Sequence, residues 1–571
     1  MSSTTWWQRA AFAVLLATAV WAFTYRLGAM PLLDDPNEGE YAEVAREMVE
    51  TGDFVSPQLN YVLFLNKPAL EYWLIAVSDL AVGVNEFAAR LPSAVAGVVI
   101  VLLVAWLGTT LFDAATGLLA GFILVAMGGF FVETHEVRPD LILTAGIVGA
   151  LVAFVHLLRA PAAARGWSAR VRWALLGWQL SLAIGLLAKG MAALLLPGLA
   201  CAAVIVSQRR FDLIRRLLHP RAWWLLLLMV APWHVVTSLL HPGFAWDYIV
   251  NQHLLFFFDG KFPRDSVPVS LPMFWSAFAL RLFPWSIFAP LGVMAAWQRL
   301  RRERDAYGDG LVLAWLAAVL LVFSAASSRM EHYSIPALPA AALMLARLFR
   351  ESATDRRSTL GRAVTVHVVL FAALAAAGPF VVPQIVAAQE WLAPIGDFGT
   401  LARTTFTLLA VGTLVAAVAA LAGRRAWIAP LIIATFVVEV PFFHHGLTLV
   451  ARVNSSAPIA TALRAFVEPQ ERLVVEASTE YQSCAGLNFY LRRKLDLLAP
   501  ADFVPPPYLQ PYVDDLFMTR EQLLELWENE RVYLVTDPLT PRRSLDASLP
   551  QPVYMVVRDN QRWAVTNRPF H

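Results

Sequence analysis

The chain has 571 residues, of which 58% are hydrophobic and 15% are charged, whereas soluble domains carry about 25% charged residues. A formal net charge of +2 gives no overall basis for nucleic-acid binding, so no nucleic-acid partner is expected. The two cysteines, Cys201 in an apolar run and Cys484 in the polar tail, are not expected to pair, which excludes a disulfide-stabilised fold.

Long apolar runs recur from residue 10 to about residue 447 and then stop. A helical crossing of the bilayer needs about 20 apolar residues, so this region accommodates about 13 crossings. The candidate spans are roughly residues 10–29, 91–112, 116–133, 141–159, 173–189, 191–207, 222–241, 272–297, 310–327, 333–347, 363–386, 402–423 and 426–446. The first run lacks a small-residue cleavage site and is interpreted as a retained helix. Near Gly190 the pattern fits either two helices or one broken helix.

Arginines are distributed unevenly between the predicted loops. One set of alternate loops holds 21 arginines, whereas the opposite loops carry basic residues singly. Because short basic loops stay in the cytoplasm, we predict a cytoplasmic amino terminus and an external tail. The predicted domains are a transmembrane region, residues 1–449, and an outer domain, residues 450–571.

The first outer loop, about residues 30–90, opens with four carboxylates in the run Asp34–Glu40. An amphipathic interfacial helix is predicted next, with Asn37 as its N-cap and Gly52 as its stop. Its apolar face is formed by Tyr41, Val44, Ala45, Met48 and Val49. The segment Asn66–Trp73 is predicted to start a second short interfacial helix, with Pro68 near its first turn.

Four cations are predicted to lie on the outer side of the membrane. They are Lys67, Arg138, Lys189 and Arg329. Charges near membrane depth usually face a cavity, and several cations in one cavity suit the phosphate of a lipid. A carboxylate beside them suits a general base. Each cation alone also fits a helix-end residue, and the acidic run also fits a solvated turn. His253 and His332 fit hydrogen-bonded loop residues better than metal ligands, and no metal site is predicted.

The order of the outer-loop motifs resembles that of a known family. The motifs are Asp35–Met48, Gly52–Asn60, Lys67-Pro68, Arg138-Pro139-Asp140, Asn251-Gln252-His253, Phe283-Pro284-Trp285, Ser327-Ser328-Arg329, Tyr333 and Pro336–Pro339. Over most of residues 10–450 they are similar to the bacterial protein mannosyltransferase-like enzymes, and in particular to the lipid A aminoarabinose transferases (ArnT-like).

The resemblance implies a membrane glycosyltransferase of the GT-C type in the bacterial inner membrane, with its tail in the periplasm. It implies transfer of a sugar, with inversion, from a polyprenyl (undecaprenyl) phosphate donor to an envelope acceptor such as lipid A, a glycan or a protein. Neither a nucleotide nor another cofactor is expected. The residues that it assigns to the donor's phosphate or sugar are Tyr41, Lys67, Arg138, Asp140, Lys189, His253, Arg329 and Tyr333.

The chain departs from the family pattern at the expected catalytic position. The family usually has Asp-Glu before the first interfacial helix, and this chain has Asn37-Glu38. An asparagine cannot accept a proton, so we predict Glu38 as the base, with Asp35 next and Asp34 also open. An acceptor that needs little base, or a loss of activity, remains an alternative. Asn66 also replaces the usual Glu before Lys67, and Arg329 replaces a usual Lys.

The tail is predicted to be a small α/β domain. Strands are predicted at Arg472–Ala477, Arg531–Thr536, Pro552–Val557 and Arg562–Thr566, and helices at Tyr481–Arg493 and Arg520–Glu530. Thr519 and Gln522 form a predicted capping box for the second helix. The basic cluster Arg492–Lys494 fits a solvated face or a contact with headgroups, and Pro500–Pro511 is predicted to be a loop.

Two other functions use the same cationic cavity. A transporter or flippase for a lipid-linked sugar would bind the same donor, and a non-catalytic binding protein would agree with Asn37. Many transporters have two matching halves, and no such duplication is visible in this sequence, which favours an enzyme. A transporter needs no base, so replacement of Glu38 or Asp35 distinguishes these functions.

Overall fold

The computed structural model describes residues 6–34, 38–160, 168–220, 223–262, 267–303, 306–354, 358–389, 395–396, 398–476, 484–498, 517–536, 549–559 and 562–569. These residues are mostly helical, with a small β-sheet near the carboxy terminus, which confirms the predicted fold class.

The helices of the described residues are numbered here in chain order. They are α1 (Trp6–Thr24), α2 (Glu38–Thr51), α3 (Leu70–Val82), α4 (Glu86–Leu111), α5 (Ala114–Val125), α6 (Gly128–Thr134), α7 (Asp140–Leu158), α8 (Ala169–Lys189), α9 (Ala192–Ser207), α10 (Asp212–Leu217), α11 (Trp224–Leu240), α12 (Phe244–Trp246), α13 (Leu271–Arg281), α14 (Ala289–Arg302), α15 (Tyr307–Ala325), α16 (Leu338–Thr354), α17 (Thr359–Ala387), α18 (Phe398–Leu421), α19 (Ile428–Val453), α20 (Ala457–Phe466), α21 (Ala485–Leu491) and α22 (Arg520–Asn529). A π-helix spans Asp247–Leu255, and 3-10 turns span Ser286–Phe288, Glu331–Ala337 and Arg425–Trp427.

Among the described helices, seven are long and apolar enough to cross a membrane, and up to nine if each of two bent pairs counts as one span. Two shorter apolar helices, α9 and α11, add to this set. Each of the predicted spans coincides with at least one helix. The chain is therefore a multi-pass membrane protein, while the number of crossings stays a prediction.

Two predicted spans are bent, because the backbone between their two helices leaves the helical conformation. α5 and α6 meet at 68°, where Met127 is extended and Gly128 N–H donates to the carbonyl of Phe283 at 2.8 Å. α13 and the segment Ser286–Arg302 meet at 109°, next to Pro284, which has no N–H to continue a helix. Near Gly190, whose φ of 91° ends α8, the structure has two separate helices.

The described chain forms two compact units. The first consists of Met1–Tyr25, Leu91–Pro232 and Val267–Gly446, and the second of Arg26–Arg90, Trp233–Ser266 and Leu447–His571. The predicted domain boundary at residue 449 remains a prediction. Both cysteines are buried, and neither forms a disulfide.

Close helix packing organises the first unit. A Cβ on Gly146 of α7 would lie 3.1 Å from the Cα of Gly185 on α8, and a Cβ on Gly108 of α4 would lie 2.7 Å from the Cα of Gly117 on α5. Small residues allow membrane helices to approach in this way. The α7–α8 contact brings the start of α7 close to the end of α8, where Asp140 and Lys189 lie.

The second unit combines the first predicted outer loop and residues 233–266 with the tail. Its main sheet has the strand order β5-β4-β3-β6-β8-β7, in which the first four strands are parallel and β8 and β7 are antiparallel. These strands are β3 (Arg472–Glu476), β4 (Asp496–Leu498), β5 (Phe517–Met518), β6 (Val532–Val535), β7 (Tyr554–Arg558) and β8 (Trp563–Thr566). The first loop adds a small hairpin of β1 (Gln58–Leu59) and β2 (Val62–Leu63).

Several predictions for the tail are confirmed. Each of the four predicted strands is present, and α22 begins with the predicted capping box between Thr519 and Gln522. In the predicted helix Tyr481–Arg493, only Ala485–Leu491 is helical among the described residues. The side chains of Arg492 and Arg493 donate to backbone carbonyls, which agrees with a structural role. Residues 500–511 lie outside the described residues.

The bounds of α2 are as predicted, and its polar face is buried along with its apolar face. The helix spans Glu38–Thr51 and ends at Gly52, which has a φ of 73°. Its apolar face is largely buried, but Glu43, Arg46 and Glu47 on the opposite face are buried as well. These polar groups pair with one another and with Tyr61, and α21 packs on the same helix.

Candidate functional site

A short loop between α6 and α7 places Arg138 in the first unit. The guanidinium is 7% exposed, and its Nε lies 3.2 Å from Glu136. Burial alone would lower the pKa of Arg138, but the carboxylates of Glu136, Glu133 and Asp140 raise it above its usual value. Its Nη1 is buried and has no hydrogen-bond acceptor among the described residues, so this donor is available to a ligand.

Lys189 and Asp140 form the centre of the same cluster. Nζ of Lys189, the last residue of α8, lies 2.6 and 2.7 Å from the two carboxylate oxygens of Asp140, the first residue of α7. The ammonium also lies 4.9 Å from the ring centroid of Tyr333, a cation–π distance. The structure thus brings together Arg138, Asp140, Lys189 and Tyr333, four residues of the predicted site.

His332 and Glu133 belong to this cluster, although the sequence analysis did not place them in the site. His332 lies beside Asp140, Lys189 and Arg138, and burial lowers its pKa to about 4, so the imidazole is neutral near pH 7. Glu133 lies 3.5 Å from Arg281. The signal in the sequence was the number of polar residues in the outer loops, but the pattern did not show which of them meet.

Arg329 is placed differently from the other predicted cations of this unit. Its two terminal nitrogens donate to the backbone carbonyls of Val269 and Ser324, each at 3.3 Å, while its Nε is buried without a hydrogen-bond partner among the described residues. The bonds to backbone carbonyls hold the guanidinium near its own turn. Its predicted role in binding the donor stays a prediction.

In the second unit, Glu38 forms a fully buried ion pair with Arg90. Nη2 and Nε of Arg90 lie 2.6 and 2.9 Å from the two carboxylate oxygens, and both side chains are 0% exposed. Glu38 also accepts a hydrogen bond from the backbone N–H of Leu33. This carboxylate is buried and bonded to Arg90 and Leu33. Such an arrangement does not suit a catalytic base, which must contact the sugar acceptor. Arg90 was missed by the sequence analysis, because an arginine 52 positions away has no local signature.

The other predicted residues of this unit fall into three groups. Asp35 and Asn37 lie outside the described residues. Tyr41 is buried and stacks on Tyr72 with ring centroids 5.8 Å apart, as a core residue does. Lys67 and His253 are both half-buried, and the structure brings them near each other.

Lys67 and His253 are linked electrostatically. Burial lowers the pKa of His253, its hydrogen bond to the carbonyl of Tyr248 opposes that effect, and the Lys67 ammonium lowers it further. Lys67 donates to the side-chain carbonyl of Asn66 at 3.1 Å, an acceptor that takes the place of the family's glutamate. Because Asn66 is neutral, the positive charge of Lys67 is not cancelled by its neighbour.

In the part of the chain that the structure describes, no group of three metal-ligating side chains is present. The chemistry offered by the first unit is a buried arginine donor, an ammonium and a neutral imidazole around one aspartate. The second unit offers a lysine beside a histidine. Such sets bind phosphate and sugar hydroxyl groups.

Comparisons with known proteins agree with this chemistry. Residues 10–245 match the family described as dolichyl-phosphate-mannose-protein mannosyltransferase. The undecaprenyl phosphate-alpha-4-amino-4-deoxy-L-arabinose arabinosyl transferase of Aeromonas salmonicida is 30% identical over 317 residues, which is 54% of this chain and 55% of that protein. The enzyme of the same name from Pectobacterium carotovorum is 28% identical over 316 residues, 54% of each chain. The chain thus matches about half the length of these curated relatives.

Two solved structures share the fold along nearly the whole chain. The crystal structure of ArnT from Cupriavidus metallidurans bound to undecaprenyl phosphate has a TM-score of 0.81 at 23% identity and covers 99% of both chains. The apo form has a TM-score of 0.79 at 22% identity and covers 98% of both. The resemblance predicted from the loop motifs is therefore confirmed: residues 10–245 match the mannosyltransferase family, and the chain shares the fold of the two ArnT structures.

Proposed function

We propose that this protein is an inverting glycosyltransferase that moves a sugar from an undecaprenyl phosphate carrier to an acceptor of the cell envelope. The observation that carries the proposal is the buried cluster of Arg138, Asp140 and Lys189, in a chain whose relatives are named as transferases of an undecaprenyl phosphate-linked sugar. The arginine offers an unused buried donor, which a lipid-linked phosphate would satisfy.

The substrate-binding roles follow from charge and from the family resemblance. In the first unit, Arg138 binds the donor's phosphate, Arg329 and Tyr333 assist, and Asp140 holds Lys189 in place. The resemblance assigns Lys67, in the second unit, to the phosphate as well. His253, near Lys67, hydrogen-bonds the donor, and Tyr41 contributes through the packing of α2.

The reaction needs one bond to form and one to break. A hydroxyl or amine of the acceptor attacks the anomeric carbon from the face opposite the phosphate, and the bond between that carbon and the phosphate oxygen breaks. Undecaprenyl phosphate leaves with the electron pair, and the acceptor's proton passes to a carboxylate. The cations stabilise the phosphate's charge as it leaves.

Asp35 is the proposed base. Asn37 cannot accept a proton, and Glu38, which the sequence analysis placed first, is fully buried in its ion pair with Arg90. Asp35 lies two residues before Asn37 and three before Glu38 in the sequence. Glu38 is then a structural residue of the same segment.

We further propose a bacterial inner-membrane location, with the amino terminus in the cytoplasm and the tail in the periplasm. The arginine-rich alternate loops support this orientation. The acceptor is a component of the envelope, with lipid A, a glycan or a protein as the candidates.

The test is transfer by the purified protein in detergent. It is given a panel of undecaprenyl phosphate sugars and an envelope lipid extract, and released undecaprenyl phosphate is followed. Acceptor-dependent release that is lost in Asp35→Asn, with the melting temperature unchanged, supports a transferase that uses this base. Glu38→Gln should instead lower the melting temperature.

A different outcome would favour another function. Labelled donors that bind but are never cleaved would indicate a binding protein. Donors that move across the bilayer of a proteoliposome without cleavage would indicate a flippase, and Asp35→Asn would leave that movement intact.

A further inference from the structure

Tail residues hold the backbone at the start of the acidic segment Asp34–Glu38. The N–H of Asp34 donates to the carbonyl of Asn454 at 3.0 Å, and the hydroxyl of Ser456 donates to Asp34 Oδ2 at 2.6 Å. The partners are 422 positions apart in the sequence. Ser456 is the N-cap of α20, yet its hydroxyl makes no capping bond and is given to Asp34 instead. An N-cap hydroxyl normally stabilises the first turn of its own helix. Here the hydroxyl of Ser456 instead binds the first loop through Asp34.

Tyr490 makes a second contact from the tail, to Leu32, two residues before Asp34. Its hydroxyl accepts the N–H of Leu32 at 2.7 Å and donates to Glu86 at 3.2 Å. Tyr490 belongs to α21, which packs directly against α2. A Cβ on Gly39 would lie 2.7 Å from the Cα of Gly486, so the two helices touch backbone to backbone at this point.

The other end of the segment is fixed as well. Leu33 and Glu38 exchange two hydrogen bonds, from Glu38 N–H to the carbonyl of Leu33 at 3.1 Å and from Leu33 N–H to the Glu38 carboxylate at 2.9 Å. Arg90 then holds Glu38. Hydrogen bonds therefore hold both ends of the segment, and those at its start come from the tail residues Asn454, Ser456 and Tyr490.

We propose that Ser456 and Tyr490 are positioning residues for the transfer reaction. They fix Leu32 and Asp34, the residues that lead into the proposed base, and so limit the positions from which that carboxylate can accept the acceptor's proton. This inference rests on the proposed function, because it concerns the base of that reaction. It also gives the tail a role within the site, since the tail supplies part of the support of the first loop.

The experiment removes one oxygen atom at a time from the full-length protein. Ser456→Ala and Tyr490→Phe each delete one hydroxyl that contacts the first loop. The matched controls are Ser455→Ala and Tyr533→Phe, whose hydroxyl groups bond within the tail, to Ala457 N–H and to the carbonyl of Phe466. Ser456→Thr keeps the hydroxyl and serves as the rescue variant.

We expect kcat to fall roughly 10- to 100-fold in Ser456→Ala and Tyr490→Phe, with the donor KM within about twofold, because small misplacements of a catalytic group have effects of this size. The two controls and Ser456→Thr should keep kcat within about threefold of the wild-type value. Equal kcat in test and control variants would overturn the proposal, as would a loss confined to KM.

Hydrogen exchange provides a readout that needs no activity. Amides in residues 32–51 should exchange faster in Ser456→Ala and Tyr490→Phe than in the two controls. If the wild-type protein transfers no sugar, the proposed function fails, while faster exchange would still show that the tail holds the segment. Unchanged exchange in both test variants would overturn the positioning role whether or not the protein is active.

Discussion

Lys189 donates hydrogen bonds to both carboxylate oxygens of Asp140, at 2.6 and 2.7 Å, across 49 positions of the sequence. The carboxylate side chain is 3% exposed and the lysine side chain 15% exposed. Truncation of one partner of such a pair leaves a buried charge without compensation. The pair therefore determines both the stability of the first unit and the charge near the proposed phosphate site.

Replacing Lys189 by Met should lower the free energy of unfolding by about 3–5 kcal/mol, because Asp140 would be left buried and charged. The double variant Lys189→Met with Asp140→Leu should recover most of that loss. Melting temperatures of the purified proteins in one detergent measure both effects. If Lys189 also contributes charge to donor binding, the double variant will remain folded and bind the donor weakly.

Lys494→Met is the matched control, since Lys494 is exposed in the tail. It should change neither melting temperature nor donor affinity. A double variant that is stable and binds the donor as tightly as the wild-type protein would remove Lys189 from the substrate site.

Replacing Arg90 by Met should also lower the free energy of unfolding, by about 3–5 kcal/mol, because the buried Glu38 carboxylate would lose the arginine of its ion pair. Arg90 also donates to the carbonyls of Met30 and Pro31, so these acceptors would lose their partner too. The exposed Arg520→Met is the control and should leave the melting temperature within about 1 °C of the wild-type value. An equal effect of the two substitutions would contradict the structural role of the pair.

Local rules predicted local structure well in this chain. Gly52 ends α2 because glycine tolerates the positive φ that follows a helix, and Thr519 opens α22 because its hydroxyl caps the first turn. Apolar runs likewise located helices within all the predicted spans. These signals depend on residues only a few positions apart.

Contacts between residues that are far apart in the sequence could not be predicted from local patterns. The pairs Glu38–Arg90 and Asp34–Ser456 join residues 52 and 422 positions apart, and no periodicity encodes them. Charged side chains are usually exposed, and the sequence does not show that the polar face of α2 is buried, where its charges pair with one another. For the same reason, the sequence analysis predicted Glu38 as the base and could not show that Arg90 forms an ion pair with its carboxylate.

His332 should make the first unit less stable in acid. Burial lowers its folded pKa to about 4 from an ordinary 6.5, and it faces Asp140, Lys189, Arg138 and Glu331. Between pH 6.5 and pH 4 the unfolded chain binds a proton that the folded protein does not, so stability falls by on the order of 3 kcal/mol as the pH is lowered through this window. Melting temperatures from pH 7.5 to pH 5 should fall less in His332→Gln than in the wild-type protein.

The control for His332 is His445→Gln, which changes an exposed histidine. It should keep the wild-type dependence of melting temperature on pH. Identical slopes for the wild-type protein and His332→Gln would show that the imidazole is not kept neutral by burial.

Glu47 should make the folded protein less stable at alkaline pH. Its side chain is fully buried on α2, where burial and the neighbouring Glu43 carboxylate raise its pKa well above the usual 4.5. Arg46 is closer to Glu43, at 2.7 Å, than to Glu47, at 4.0 Å, so it does not compensate both carboxylates. The folded protein keeps a proton that the unfolded chain releases, and stability is therefore lost as the pH rises above about 4.5.

Glu47→Gln removes this dependence and keeps the acceptor for the N–H of Tyr61, which bonds to Glu47 at 2.8 Å. The variant should melt at a higher temperature than the wild-type protein at pH 8.5, and the difference should shrink toward pH 5.5. The control, Glu528→Gln, changes an exposed residue of α22 and should show no such difference. A variant that melts below the wild-type protein at pH 8.5 would mean that Glu47 is ionised and stabilising in the folded state, with Arg46 shared between the two carboxylates.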